Sequence, residues 1–147
     1  MKIKRGSLIL HHVISVKEIC ESNEWMNASK ELRNAIIRNG LYPTGPMIYQ
    51  MRNIKESDKK EFTLFIPVNA PINMEENEKF FYLDTLSFED GLTYRHSDMD
   101  EDFEDSYELL KMTAQSIGVE LEETFYNIYL PVFGGSIVDI YAPIIKM

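Results

Sequence analysis

Phe125-Tyr126-Asn127-Ile128-Tyr129-Leu130-Pro131-Val132-Phe133-Gly134-Gly135-Ser136-Ile137-Val138-Asp139-Ile140-Tyr141-Ala142-Pro143-Ile144 is two runs of apolar, aromatic and β-branched residues around a Gly-Gly pair. Such runs flanking a tight-turn signal read as a β-hairpin, with strands over Thr124 to Phe133 and Ile137 to Ile144. Pro143 falls at a strand end, where its missing N–H costs little. Upstream, Phe103, Tyr107, Leu110, Ala114 and Ile117 recur at three-and-four spacing, which predicts a helix from about Asp100 to Ile117, and Gly118 stops it. Leu92 to His96 reads as a strand before that helix.

The first half of the chain follows the same plan, and such self-similarity bears on the whole architecture. Ser7 to Val16 reads as a strand. A helix from about Asn23 to Asn39 follows, with Trp25, Ala28, Leu32, Ala35 and Ile36 on one face and Gly40 as its stop. Met47 to Met51 and Glu61 to Val68 read as two strands joined by the polar stretch Asn53 to Lys60. Leu64-Phe65-Ile66-Pro67-Val68 ends on a proline as Ile140-Tyr141-Ala142-Pro143-Ile144 does. Gly40 and Gly118 lie 78 residues apart, and that offset carries Trp25 onto Phe103 and Leu32 onto Leu110. The expectation is an α+β fold of two β-α-β-β repeats with pseudo-twofold symmetry, antiparallel sheets and two main helices. It forms a single domain over residues 1–147, with repeat one at about 1–72, repeat two at about 80–147 and Ala70 to Lys79 as connector.

A chain of 147 residues with 44% apolar and 12% aromatic side chains has enough material for one hydrophobic core. Cys20 is the sole cysteine, so no internal disulfide forms. The apolar run Leu8 to Leu10 is too short for a signal segment or a membrane span, and a reduced, cytoplasmic compartment is expected. The net charge of −9 argues against nucleic acid, because phosphate contacts need a basic surface. The charge is uneven. Residues 1–73 carry 11 basic and 7 acidic side chains, whereas residues 74–147 carry 4 and 17.

Asp98, Asp100, Glu101, Asp102, Glu104 and Asp105 place six carboxylates within eight positions at the expected start of the second helix. Two or three acids there complement the helix macrodipole, each by about 0.3–1 kcal/mol. The surplus repels itself and suits a docking surface for a basic protein, whose association it would accelerate. Glu75, Glu76, Glu78, Glu120, Glu122 and Glu123 read singly as solvated loop charges that broaden the acidic half. His11 and His12 are neighbours in a strand, so their side chains are expected on opposite faces, poorly placed for one metal. His96 near Asp98 and Asp100 reads as a surface histidine rather than a ligand. Acids beside Cys20 discourage its thiolate. With no phosphate loop, nucleophile elbow or His-Glu-x-x-His pattern, the expectation is no enzyme, no cofactor and no metal. Tyr49 and Tyr129 are either groove-lining or core.

The plan, and most closely Phe125 to Pro131 followed by Val138 to Ile144, resembles the GyrI-like family, also called SHS2-type or SOUL-like effector-binding domains. That resemblance implies a groove between the repeats, lined here by Tyr49, Asn127 and Tyr129, for small apolar or cationic ligands. At the position matching the family's buried glutamate stands Asn127, which cannot neutralise a desolvated cation. The sequence shows no helix-turn-helix, so these residues alone are not expected to form a whole transcription regulator. Its acidity also resembles that of immunity proteins encoded beside LXG-type toxins of Gram-positive bacteria. On that reading the chain neutralises a basic, nuclease-like toxin, with the 98–105 acids standing in for phosphates. The alternative reading is a GyrI-like small-molecule sensor. Exposed strand edges leave a homodimer open, and no membrane partner is expected.

Overall fold

The computed structural model describes residues 3–21, 24–71, 80–96, 103–132 and 135–145. Among them run β1 (Ile3–Arg5), β2 (Leu8–Cys20), α1 (Trp25–Arg38), β3 (Met47–Asn53), β4 (Lys60–Pro67), β5 (Phe80–Phe88), β6 (Gly91–His96), α2 (Phe103–Ile117), β7 (Tyr126–Val132) and β8 (Gly135–Pro143). The pairs β1/β6, β6/β8, β7/β8, β2/β4 and β3/β4 are antiparallel, and with the two helices they make an α+β fold. No helix among the described residues is long and apolar enough to cross a membrane.

The chain forms two compact units. One is continuous, Leu10–Leu86; the other is split, joining Met1–Ile9 to Ser87–Met147. In the continuous unit the strand order is β3-β4-β2-β5, and α1 supplies Ala28, Leu32 and Ile36 to a core with Met47, Phe62, Leu64 and Ile66. Trp25 lies with its ring 4.4 Å from that of Tyr49. The helix ends as its glycine predicts. Gly40 takes φ 79°, Leu41 N–H donates to the Ile36 carbonyl, and Arg38 places a cation in the last turn.

The split unit has the order β1-β6-β8-β7. Leu110 and Ala114 of α2 pack with Leu92 of β6 and with Val138, Ile140 and Ala142 of β8. Each fully buried leucine or isoleucine there contributes about 1.5–3 kcal/mol. Gly118, at φ 78°, ends α2 with Val119 N–H donating to the Ala114 carbonyl. The hairpin register pairs Val132 with Gly135 and Tyr126 with Tyr141. Residues 133 and 134, where the tight turn is expected, lie outside the described set.

Two strands escape the sequence reading. β1 is three residues long and basic, and β5 lacks strict alternation because Phe80 to Leu83 are all half-buried. β2 also runs on to Cys20 and carries an irregularity. His12 has φ 56°, which breaks the two-residue alternation. Both imidazoles reach β5: His11 Nδ1 lies 3.3 Å from Thr85 Oγ1 and His12 Nδ1 lies 3.1 Å from the Tyr82 hydroxyl.

Candidate functional site

A cleft in the split unit forms where three connections meet. Gly6 N–H donates to the Gly91 carbonyl, Ile144 N–H to that of Asp90, Glu122 N–H to that of Pro143, and Ile145 N–H to that of Glu120. These bonds fasten the β5–β6 corner and the segment after α2 to the end of β8. Between them lies a cleft of about 770 Å³, lined by Arg5, Phe88, Glu89, Asp90, Val119, Glu122, Ile144 and Ile145. Its lining joins apolar side chains with three carboxylates, those of Glu89, Asp90 and Glu122. Arg5 grips Asp90 with two N–H groups, Nε to Oδ1 at 3.0 Å and Nη2 to Oδ2 at 2.7 Å. That grip holds the Asp90 carboxyl below its ordinary range. Both partners are exposed, so the pair orients this lining more than it stabilises the fold. Glu122 is not engaged by this guanidinium.

An open trough of about 530 Å³ shares Val119 and Glu122 with the cleft and follows the outer face of α2. Deeper in the unit sit two polar pairs. The Tyr107 hydroxyl donates to Asn127 Oδ1 at 2.8 Å, and His96 Nδ1 lies 2.8 Å from Ser106 Oγ. His96 is thus a buried residue, not the surface histidine expected, and its ring meets the edge of Phe103 at 4.4 Å.

Burial pushes the Tyr107 hydroxyl up to about 12 from an ordinary 10, and the Tyr141 hydroxyl likewise to about 12. Raised pKa values of this kind stabilise the fold fully below pH 10, the unfolded value, and that stabilisation is lost as pH climbs through about 12. Alkaline unfolding is therefore expected within this window. The last tyrosines to ionise should do so together with loss of helix signal, and full tyrosinate absorbance with the helix signal intact would contradict it.

The residues singled out from sequence fall in different places. Asp98, Asp100, Glu101 and Asp102 lie outside the described residues. Glu104 and Asp105 are exposed in the first turn of α2. Tyr49 is buried in the continuous unit, whereas Asn127 and the half-buried Tyr129 belong to β7 of the split unit, two residues apart and so on one face. Among the described residues no group of three His, Cys, Asp or Glu is placed to hold a metal. The Cys20 thiol is pushed up by burial first and then by Glu24 and Glu18. The cleft residues Arg5, Phe88, Asp90 and Ile145 were missed, because no local pattern links Arg5 to a turn 85 positions away.

The strand orders and helix placement define a GyrI-like fold, and solved structures carry the same one. The chain aligns with the C-terminal domain of EcmrR at a TM-score of 0.69 and 12% identity, covering all of both chains. Against EcmrR in a DNA complex the TM-score is 0.71, and the chain spans 58% of that protein's length. SAV2435 bound to tetraphenylphosphonium aligns at 0.57 and 11% identity, over 99% of this chain and 95% of that one. The chain belongs to the family described as a domain of unknown function, DUF5085, whose model matches residues 10–146. No curated protein sequence matches it.

One expectation is overturned by these likenesses. A hydrolase from Listeria innocua has the same fold, at a TM-score of 0.69 and 10% identity over 98% of this chain and 92% of its own. The lack of a familiar catalytic motif thus does not remove the chain from the enzymes, since a hydrolase is built on the same scaffold.

Proposed function

We propose that the chain is a GyrI-like ligand-binding domain that takes an organic cation with apolar substituents in the cleft of the split unit. The observation that carries this reading is the cleft itself: apolar walls from Phe88, Val119, Ile144 and Ile145 together with the Glu122 carboxylate. Such a lining matches a cation whose charge is spread and weakly hydrated, because apolar burial supplies the affinity and the carboxylate selects the sign. SAV2435, of the same fold, binds a molecule of that chemistry. The toxin-neutralising reading rests on the acidic run, on Asn127 in place of a glutamate and on the lack of a helix-turn-helix in the sequence, and four of the six carboxylates of that run lie outside the described residues. The ligand reading therefore has the stronger support.

We also take the two units as diverged copies of one ancestor. Each runs strand, helix, strand, strand, and in each the second strand neighbours the third and the third neighbours the first. Both helices close on a left-handed glycine, and both last strands end on a proline.

Titration with tetraphenylphosphonium tests the ligand reading. At a hundredfold excess over Kd the melting temperature should rise by about 5–10 °C. Glu122→Gln and Ile145→Asn should each weaken binding by about tenfold. Absence of saturable binding, or unchanged affinity in both variants, would sink it.

A further inference from the structure

The trough on α2 has a different character from the cleft. Glu108, Lys111, Met112 and Gln115 recur at three-and-four spacing, so they form one exposed stripe on its helical bank. The other bank is the extended segment after Gly118. It is fixed to the sheet by the Leu121–Ile144 bridge and by the backbone bonds of Glu120 and Glu122. Met112 stands 63% exposed at the middle of the stripe and lines the trough together with Leu121 and Phe125. An exposed methionine in such a trough is a surface that moulds to a partner.

The charge is one-sided. Lys111 Nζ sits 3.4 Å from Glu108 Oε1, so these two largely offset each other. Glu120, Glu122 and Glu123 remain on the opposite bank. They follow directly on the C-terminus of α2, whose last turn holds no basic residue. Carboxylates at that end oppose the helix macrodipole and cost stability, whereas α1 carries Arg38 at the equivalent place. Stability alone gives no reason for three glutamates there. A cationic chain laid along the trough would offset both the carboxylates and the exposed helix carbonyls.

We infer that this trough docks a basic amphipathic helical segment of a protein partner, its apolar stripe on Met112 and Leu121 and its lysines or arginines against Glu120, Glu122 and Glu123. Two banks running side by side suit a linear chain more than a compact ligand. The eight-residue stripe from Glu108 to Gln115 spans about 10 Å, nearly two helical turns. An acidic or neutral segment would leave the glutamates uncompensated, and nucleic acid is repelled.

The test uses a fluorescein-labelled lysine–leucine peptide with an amphipathic helical period, and a scrambled peptide of the same composition. Fluorescence anisotropy against the full chain should show saturable binding of the first, and weaker binding of the scrambled form by fivefold or more. The double variant Glu120→Gln/Glu123→Gln and the single variant Met112→Asp should each lower affinity about tenfold, the first more strongly at low salt. Met112 is exposed, so neither variant should lower the melting temperature, which verifies folding. Glu104→Gln/Asp105→Asn, at the other end of the helix, should leave binding unchanged. Equal binding of the scrambled peptide would overturn the inference, as would loss confined to the Glu104/Asp105 variant. Tetraphenylphosphonium binding, read on the same variants, should persist whichever way the peptide result falls.

Discussion

Leu110→Ala is expected to cost about 2–5 kcal/mol, a large part of the 5–15 kcal/mol that holds a domain of this size together. Leu110 is wholly shielded from solvent, and its neighbours Leu92, Val138, Ile140 and Ala142 come from two strands that are paired to each other. Those strands cannot collapse inward independently, so removing the isobutyl group leaves a cavity as well as losing transfer energy. Urea denaturation should show a lower midpoint at unchanged slope. Met112→Ala, two positions on but exposed, serves as the control and should fall within about 0.5 kcal/mol of wild type. Equal effects at the two positions would mean that α2 does not rest on the sheet through the face described.

Gly91→Ala should be nearly as damaging, at about 2–4 kcal/mol, for a steric reason. A methyl group built on Gly91 would stand 2.5 Å from the Tyr141 hydroxyl oxygen and 2.8 Å from its Cε1. Tyr141 faces Thr93 across β6 and β8, and its ring folds diagonally over the glycine. The ring has little room to retreat. It is 2% exposed, it lies against Phe88 at 5.9 Å, and its hydroxyl donates to the Gly6 carbonyl at 2.7 Å. Moving it gives up that hydrogen bond and loosens the anchor of β1. In a Tyr141→Ala background the same glycine substitution should cost under about 1 kcal/mol, since the clash is gone. A cost independent of Tyr141 would show that backbone conformation, not the ring, demands glycine here.

The two helices and the β7–β8 hairpin were legible because each is specified locally. Apolar spacing marks the buried faces of α1 and α2, and Gly40 and Gly118 mark where a left-handed residue is needed. What was not legible is specified at a distance. β1 exists because Ile3 to Arg5 find Leu92 to Tyr94, and the Arg5–Asp90 grip spans 85 positions. Nothing within three residues, two of them basic, announces a strand. The irregularity at His12 was hidden for the same reason, since alternation is the default until a backbone angle breaks it. Asn127 departs from the expected glutamate within its own strand, but the hydroxyl that donates to its carbonyl oxygen, that of Tyr107, lies on another element. The acidic run stands out by composition, and four of its six carboxylates lie outside the described residues. Charge density along a chain says little about which backbone segments converge.

The split unit also has an awkward birth. Ile3 to Arg5 leave the ribosome more than eighty residues before Gly91 to His96, with the whole continuous unit emerging between them. β1 therefore waits for its partner while β2 to β4 gather, and a bulky fusion placed just before β1 would delay the closing of the Arg5–Asp90 corner of the ligand cleft.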